Sequence, residues 1–192
     1  MKLNKDYWEN RYQSNEIGWD AGTITTPLKE YIDQLENKSL KILIPGAGNG
    51  HEFDYLINKG FTNVHVIDIA QKPILFLHTK HPNYKNQILN GNFFELDDTF
   101  DLIIEQTFFC ALDPNLRDQY VKKVNSLLTT NGKITGLLFD FPLSNEGPPY
   151  GGSKNEYTEH FEPLFNLKKL ERAYNSIKPR TNKELFFIFE KK

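Results

Sequence analysis

The sequence predicts one domain built on an open α/β sheet of seven strands, mostly parallel, with helices on both of its faces. Three observations lead to this prediction. Five short apolar runs alternate with helical patterns, a glycine-rich turn joins the first run to a helix, and two further runs at the C-terminus indicate an antiparallel hairpin. A chain of 192 residues, 39% of them hydrophobic, is long enough for one well-buried core. We therefore expect residues 1–192 to form a single domain.

The first strand leads directly into the glycine-rich turn. Branched side chains at Ile42 and Ile44 indicate a buried strand, and Gly46, Gly48 and Gly50 follow at alternate positions before a helical pattern begins. Glycine suits such a turn because a side chain would block a positive φ or the close approach of a ligand to the backbone. The turn therefore predicts a nucleotide-like cofactor.

The remaining elements follow from hydrophobic periodicity and from capping residues. Pro27 suits the first position of a helix, Gly60 ends one, and Asp113-Pro114 begins another as a cap followed by a first-turn proline. The run 102–104 is apolar throughout, as in a strand buried on both faces of a parallel sheet. The predicted helices are 4–13, 26–35, 51–59, 73–80, 113–131 and 157–165, and the predicted strands are 40–45, 64–69, 87–94, 100–106, 133–141, 167–174 and 184–190.

Two segments outside the sheet are expected near the site. Trp8 and Tyr12 share one face of the first helix and Trp19 follows, so residues 1–36 are predicted to form a helical cap over the cofactor. Residues 143–155 are rich in Ser, Asn, Gly and Pro and are too long for a simple connection. That segment is a candidate lid loop.

Composition narrows the possible partners. A net charge of −2, with both signs mixed along the chain, gives no strong field, so we expect neither nucleic acid nor a membrane surface as a partner. No stretch approaches the roughly 20 apolar residues that span a bilayer, and no secretory h-region is visible, which predicts a cytoplasmic protein. We expect a monomer that acts on a small molecule.

Cysteine and histidine usage predicts that the protein holds no metal. The single cysteine, Cys110, cannot form an internal disulfide or a cysteine-based metal cluster, and it is expected to be a buried core thiol rather than a nucleophile. The five histidines show no metal-ligand spacing and are expected on the solvated surface.

Asp68 makes the cofactor prediction more specific. It lies 22 residues after Gly46, at the end of the second strand, where a carboxylate accepts hydrogen bonds from both hydroxyls of a ribose. NAD and S-adenosylmethionine (SAM) both contain this ribose, and a plain capping aspartate is the alternative. The glycine spacing departs from the dinucleotide fingerprint Gly-x-Gly-x-x-Gly, since His51 stands at the third glycine position. The spacing therefore favours a cofactor without a pyrophosphate.

Several motifs together resemble one enzyme family. They are Trp8-x3-Tyr12-x6-Trp19-Asp20, residues 44–50, Asp68-Ile69, Asn92-Phe93-Phe94, residues 100–112 and Gly147-Pro148-Pro149-Tyr150. With these motifs the chain resembles the class I SAM-dependent methyltransferases, within them the thiopurine methyltransferase family, and most closely its thiol and halide methyltransferase branch. The resemblance implies a Rossmann-like fold and SAM as methyl donor. The cofactor residues that it implies, with two neighbours added, are Trp8, Tyr12, Trp19, Gly46, Gly48, Asp68, Ile69, Asn92, Phe93 and Gln106.

Three positions depart from the usual pattern of this branch. Tyr12 stands where Trp is usual, Asn92 where Asp commonly precedes the Phe pair, and Gln106 where Tyr is common. Asn92 still offers a carbonyl oxygen to the adenine amine, and Phe93 offers a ring to the adenine face. The departures therefore affect the expected acceptor more than the expected cofactor.

Methyl transfer to sulfur or halide is an in-line displacement that needs no dedicated general base. Catalysis then depends on alignment at roughly 3–3.5 Å and on a dry pocket that removes water from the nucleophile. Candidates for the pocket wall are Phe108, Phe109, Phe141 and Tyr150, with Tyr150 donating a hydrogen bond to the acceptor. We expect methyl transfer to a thiol, bisulfide, thiocyanate, thiopurine or halide. The alternatives are an NAD-dependent oxidoreductase and a non-catalytic SAM-binding protein.

Overall fold

A seven-stranded sheet with helices on both faces organises the computed structural model, which describes residues 3–143 and 146–192. Its strands are β1 (Ile42–Pro45), β2 (Val64–Asp68), β3 (Ile88–Asn90), β4 (Phe100–Gln106), β5 (Leu128–Phe139), β6 (Phe165–Arg172) and β7 (Glu184–Lys191). Its α-helices are α1 (Lys5–Gln13), α2 (Thr26–Asp33), α3 (His51–Asn58), α4 (Gln71–Lys80), α5 (Arg117–Leu127) and α6 (Lys154–Phe161). These elements confirm the predicted fold class.

The strand order places one edge of the sheet where a cofactor site is expected. The order is β3-β2-β1-β4-β5-β7-β6, with the first five strands parallel and β7 antiparallel to both of its neighbours. The predicted C-terminal hairpin is therefore confirmed as β6 and β7. Since the chain crosses over between β1 and β4, a crevice opens at the carboxyl ends of these strands.

Alternating side chains on the central strands divide the core into two layers. Ile42 and Ile44 pack in one layer with the apolar faces of α2, α3 and α4, while Leu43, between them, packs in the other with α5 and α6. All three side chains are at most 4% exposed. The sheet is thus covered on both faces, and its strand ends are free to build a site.

Several predicted boundaries were wrong, and three of them have a local reason. The third strand ends at Asn90 rather than Phe94, because the Asn92 side chain accepts a hydrogen bond from the Phe94 amide and caps a 3₁₀ turn. The long helix ends at Leu127, and the predicted turn at Asn131 forms a bulge inside β5 instead. The last helix begins at Lys154 rather than 157, after Ser153 caps it.

Within the described ranges 3–143 and 146–192, every helix is too short or too polar to cross a lipid bilayer.

Candidate cofactor and acceptor site

A cavity of about 620 Å³ opens at the carboxyl ends of the parallel strands. This volume lies within the range of about 300–1,000 Å³ that is typical of small-molecule sites. Its wall includes every residue predicted to bind the cofactor, namely Trp8, Tyr12, Trp19, Gly46, Gly48, Asp68, Ile69, Asn92, Phe93 and Gln106. The structure therefore brings together residues that are up to 98 positions apart in the sequence, from Trp8 to Gln106.

The glycine turn presents bare backbone to this cavity. Gly46 and Gly48 have φ of +76° and +50°, a conformation that side-chain-bearing residues rarely adopt. A Cβ atom on Gly46 would lie 2.9 Å from Cδ2 of Phe108, so this position is also closed sterically. The backbone conformation of the turn therefore accounts for the glycines at these two positions.

Asp68, the last residue of β2, places a buried carboxylate beside this turn. It is 8% exposed, and its Oδ1 accepts a hydrogen bond of 2.8 Å from the Ala70 amide. The hydroxyl of Tyr12 lies 3.5 Å from Oδ2. Burial raises the pKa of Asp68 to about 6, although hydrogen bonds from backbone amides, including that of Gly48, oppose this rise. The carboxylate is thus held in place and retains acceptor capacity for ligand hydroxyls.

Three aromatic rings from the N-terminal segment form another part of the wall. The Trp8 and Trp19 rings meet edge to face at 5.6 Å between centroids, and Tyr12 meets Trp19 at the same distance. Burial, followed by the nearby charge of Asp68, raises the pKa of Tyr12, so its hydroxyl stays neutral and can donate a hydrogen bond. The three rings lie on the cavity wall, and the Arg11 guanidinium lies over the Trp19 ring, 5.7 Å from its centroid.

Asn92 and Phe93 line the end of the cavity beyond β3. Phe93 is 4% exposed and stacks on Tyr120 with 5.5 Å between the ring centroids, so it belongs to the core and to the wall at once. The side-chain amide of Asn92 donates to Glu95 at 3.1 Å, which fixes the orientation of its carbonyl oxygen. This end therefore combines a fixed oxygen acceptor with an apolar ring.

Gln106, at the end of β4, is bound to its protein neighbours. Its Oε1 accepts a 2.5 Å hydrogen bond from the Thr25 hydroxyl, and its Nε2 lies 3.4 Å from Oε1 of Glu52. The side chain thus connects the residue before α2 with the first turn of α3.

The predicted site omitted several polar residues on the cavity wall. Asp20 accepts a hydrogen bond from Asn49, and its Oδ1 lies 2.7 Å from Nε2 of His51, which corrects the expectation that the histidines lie on the solvated surface. The Trp19-Asp20 motif and the position of His51 after the glycines were visible in the sequence. Arg180 also lies on the wall, and its side chain donates a hydrogen bond to the carbonyl oxygen of Trp19, 161 residues earlier in the chain. No sequence motif indicated this residue.

The opposite wall of the cavity is largely apolar. Its side chains are Phe108, Cys110, Ala111, Leu112, Leu116, Phe139, Pro148 and Pro149. Cys110 is 7% exposed, as expected for a buried thiol, and burial raises the pKa of that thiol well above its ordinary value. These side chains carry no charge themselves, and the Arg180 guanidinium lies over the ring of Phe139, 5.8 Å from its centroid.

Three predicted acceptor residues, Phe109, Phe141 and Tyr150, do not line this cavity. Phe109 is 1% exposed and packs in the core, with its ring centroid 5.2 Å from that of Tyr120. Phe141 pairs with Gly152 in an isolated bridge, and the ring of Tyr150 stands against Gly147.

Part of the predicted lid loop is attached to the body of the protein. The Tyr150 amide donates to the Cys110 carbonyl at 2.8 Å, and the Gly152 amide donates to the Phe141 carbonyl at the same distance. Residues 144–145, which belong to this segment, lie outside the described residues. Closure of the segment as a lid stays a prediction.

Glu105 holds the turn that supplies Phe108 to the apolar wall. It is 1% exposed, and its Oε1 accepts hydrogen bonds of 2.9 Å from the amides of both Phe108 and Phe109. The Tyr120 hydroxyl donates to Oε2 at 2.6 Å. Burial raises the pKa of Glu105 to about 7 despite these donors. The carboxylate is therefore enclosed by protein groups.

Within the described ranges, no group of three or more His, Cys, Asp or Glu side chains is arranged to hold a metal ion.

The sequence is similar to those of known methyltransferases. The family model for thiopurine S-methyltransferase matches residues 3–191. A probable thiol methyltransferase 2 from Arabidopsis thaliana is 29% identical over 165 residues, covering 82% of this chain and 72% of that protein. Thiocyanate methyltransferase 1 from Brassica oleracea is 25% identical, covering 92% and 81%. Thiopurine S-methyltransferase from Acinetobacter baylyi is 23% identical and covers 88% of each chain.

A solved structure has the same fold. The 1,6-didemethyltoxoflavin-N1-methyltransferase from Burkholderia thailandensis, solved with bound 1,6-didemethyltoxoflavin and S-adenosylhomocysteine, superposes with a TM-score of 0.78 at 17% sequence identity. The superposition covers 97% of this chain and 86% of that one.

Proposed function

The chain belongs to the thiopurine S-methyltransferase family and is a SAM-dependent methyltransferase, and we propose that its acceptor is a small sulfur nucleophile or a halide ion. The sulfur nucleophiles in question are a thiol, bisulfide, thiocyanate or a thiopurine. The family relation argues against the NAD-dependent oxidoreductase as an alternative.

The residues of the cavity fit SAM. Asp68 suits the ribose hydroxyls, because its buried carboxylate keeps acceptor capacity toward the cavity. The fixed carbonyl oxygen of Asn92 suits the adenine amine, with the ring of Phe93 beside it. When bound, SAM supplies a methyl group on a positively charged sulfur. The rings of Trp8 and Trp19 would stabilise this charge by about 0.5–2 kcal/mol per contact.

The apolar wall carries the proposal about the acceptor. Within the described residues, the only titratable side chain on that wall is the Cys110 thiol, which burial keeps protonated. A wall without a base suits a nucleophile that is already anionic or polarisable in solution. Phe108, Phe139 and Leu112 would exclude water from such a nucleophile and so raise its reactivity toward the methyl group.

An acceptor panel tests the proposal. The protein is incubated with SAM and, separately, with hydrosulfide, thiocyanate, iodide, an aromatic thiol and a thiopurine, and methylated products are measured. An aromatic amine and a phenol serve as nitrogen and oxygen controls. We expect product from at least one sulfur or halide acceptor and none from the controls.

Two results of the panel would contradict the proposal. Product from the nitrogen or oxygen controls alone would place the acceptor in another chemical class. Binding of SAM with no product from any acceptor would instead support a non-catalytic SAM-binding protein.

A further inference from the structure

Pro148 and Pro149 reach the apolar wall of the cavity from residues 146–153, here called the proline segment. These described residues contain no helix or strand. Because proline has no N–H group, neither proline can hold the segment by donating a backbone hydrogen bond. The segment is attached just after the prolines instead, where the amides of Tyr150 and Gly152 donate to carbonyl oxygens of the protein body. The place of the prolines on the wall therefore depends on how this part of the chain is held.

Arg117, the first residue of α5, holds the backbone between these two amides. Its side chain is 1% exposed, and its Nη2 donates a hydrogen bond of 2.7 Å to the Gly151 carbonyl oxygen. Its Nη1 donates to the Glu156 carboxylate on α6, and its guanidinium lies 4.9 Å from the centroid of the Phe109 ring. A single planar group therefore links the start of α5 with the proline segment and with α6.

Two further features make this contact important for the shape of the wall. Leu116, which directly precedes Arg117, lines the same wall as the prolines. A Cβ atom on Gly151 would overlap the carbonyl oxygen of Phe141, so the backbone at Gly151 is packed as closely as glycine allows. Arg117 therefore ties two parts of the wall to each other across a tightly packed backbone.

The two hydrogen-bond partners of Arg117 have different consequences. A guanidinium that is this deeply buried needs a counter-charge, and the Glu156 carboxylate supplies it. The Gly151 carbonyl is neutral and does not balance the charge, but its hydrogen bond to the guanidinium fixes where the proline segment lies. The contact with Gly151 is thus the one that acts on the cavity.

We propose that Arg117 is a positioning residue for the methyl acceptor, because it holds Pro148 and Pro149 on the acceptor wall through the Gly151 carbonyl. The proposal rests on the acceptor class proposed above. An aromatic thiol is large enough to contact the prolines, whereas hydrosulfide is a small anion that does not require them. Arg117 therefore influences the binding of large acceptors more than that of small ones.

Hydrogen exchange followed by mass spectrometry tests the positioning contact without any acceptor. Arg117→Lys keeps the positive charge beside Glu156, but its single ammonium nitrogen cannot reproduce the two separate Nη contacts. We expect amide exchange in residues 150–153 to become about tenfold faster, and exchange in β1 and β4 to stay as in the wild type.

Steady-state kinetics at saturating SAM tests the consequence for the acceptor. In Arg117→Lys, the KM for an aromatic thiol is expected to rise about 3- to 10-fold, while the KM for hydrosulfide stays within about twofold. Partial unfolding lowers kcat by reducing the active fraction but leaves KM unchanged, so a rise in one KM alone reports on the wall. Calorimetry should show S-adenosylhomocysteine affinity within about twofold of the wild type, because the contact lies outside the cofactor residues.

Matched variants separate this contact from a general loss of charge or stability. Arg172→Lys makes the same substitution at an exposed position of β6 and should match the wild type in both measurements. If Arg117→Lys fails to fold, Glu156→Gln weakens the same arrangement more mildly, because a neutral amide oxygen then accepts from Nη1. For that variant we expect exchange in residues 150–153 to be about two- to fivefold faster. Glu159→Gln, at an exposed position of the same helix, should cause no change.

Two results would overturn the inference. Unchanged exchange in residues 150–153 of a folded Arg117→Lys variant would show that the proline segment is held without Arg117. Equally faster exchange in β1, β4 and the proline segment, with both acceptor KM values unchanged, would make Arg117 a structural residue. A wild-type protein that methylates neither acceptor would contradict the proposed function instead, and the exchange result would still decide the positioning contact.

Discussion

Asp68 and Glu105 are two buried carboxylates at the ends of strands that flank β1, and they have opposite tasks. Asp68 is the last residue of β2 and lies on the cavity wall, where it accepts hydrogen bonds from the amides of Ala47, Gly48 and Ala70 and from the Tyr12 hydroxyl. Glu105 is the last but one residue of β4, and its two oxygens are taken by Phe108, Phe109 and Tyr120. Burial raises the pKa of both groups, to about 6 and about 7.

The difference lies in where each carboxylate is placed. Glu105 is enclosed by protein groups away from the cavity, so we expect it to shape the turn at 107–109 whether or not a ligand is bound. Asp68 lies on the cavity wall, so we expect its contribution to appear as ligand affinity.

The largest expected effect comes from Glu105→Gln and appears as a pH dependence. A carboxyl whose pKa rises from 4.5 to about 7 on folding stabilises the protein fully below pH 4.5, and this contribution is lost as the pH rises to about 7. Between these two pH values, the free energy of unfolding of the wild type should therefore fall by about 3 kcal/mol, whereas that of the variant should not. Urea denaturation across this pH range measures the difference.

The control for this experiment is Glu171→Gln, at an exposed position of β6. Its unfolding free energy should follow the wild type at every pH. Parallel profiles for Glu105→Gln and the wild type would mean that Glu105 folds without a raised pKa.

Asp68→Ala should act on ligand affinity. Removing an ionised acceptor of the ribose hydroxyls is expected to weaken S-adenosylhomocysteine by about 1.5–3 kcal/mol, the range for hydrogen bonds to a charged group. Titration calorimetry measures this loss, and thermal melting checks that the variant is folded. Asp97→Ala, at an exposed loop position, is the matched control. Unchanged affinity in a folded variant would remove Asp68 from the ribose role.

Local sequence patterns were sufficient to predict which residues line the cavity near β1 and β2. The glycine turn and Asp68 depend on short-range geometry, since a parallel strand fixes where its last residue lies. Trp8, Tyr12 and Trp19 were found through a family motif. Arg180 had no such signal, because its place on the wall depends on how the C-terminal hairpin packs on the N-terminal segment.

The residues of the acceptor side were harder to predict, because the φ angle of a single turn residue decides which of the following side chains faces the cavity. Thr107 has φ of +62°, and the turn after it directs Phe108 to the cavity and Phe109 to the core. The sequence Phe-Phe gives no indication of which ring takes which direction. Similarly, β5 ends at Phe139, two residues before the predicted end, and Phe139 rather than Phe141 lines the cavity.

Phe139→Leu and Phe141→Leu form a matched pair that tests this correction. Their rings lie 5.0 Å apart, but only Phe139 lines the cavity. Phe139→Leu is expected to lower kcat/KM for the acceptor roughly fivefold, because apolar contact is lost. This corresponds to a loss of about 1 kcal/mol of transition-state stabilisation. The Phe141 variant should stay within about twofold of the wild type. Steady-state kinetics at saturating SAM measures both, and a larger effect at Phe141 would reverse the correction.

Tyr150→Phe should have the smallest effect. Within the described residues its hydroxyl has no hydrogen-bond partner, its ring stands against Gly147, and the backbone amide alone ties it to Cys110. Removing the hydroxyl leaves that amide in place, so the acceptor KM and the SAM affinity should both change by less than about twofold. Steady-state kinetics and calorimetry measure the two quantities separately.

An acceptor KM raised about tenfold or more, with SAM affinity unchanged, would show that the hydroxyl reaches the acceptor during turnover. In that case the segment that carries Tyr150 must move on binding.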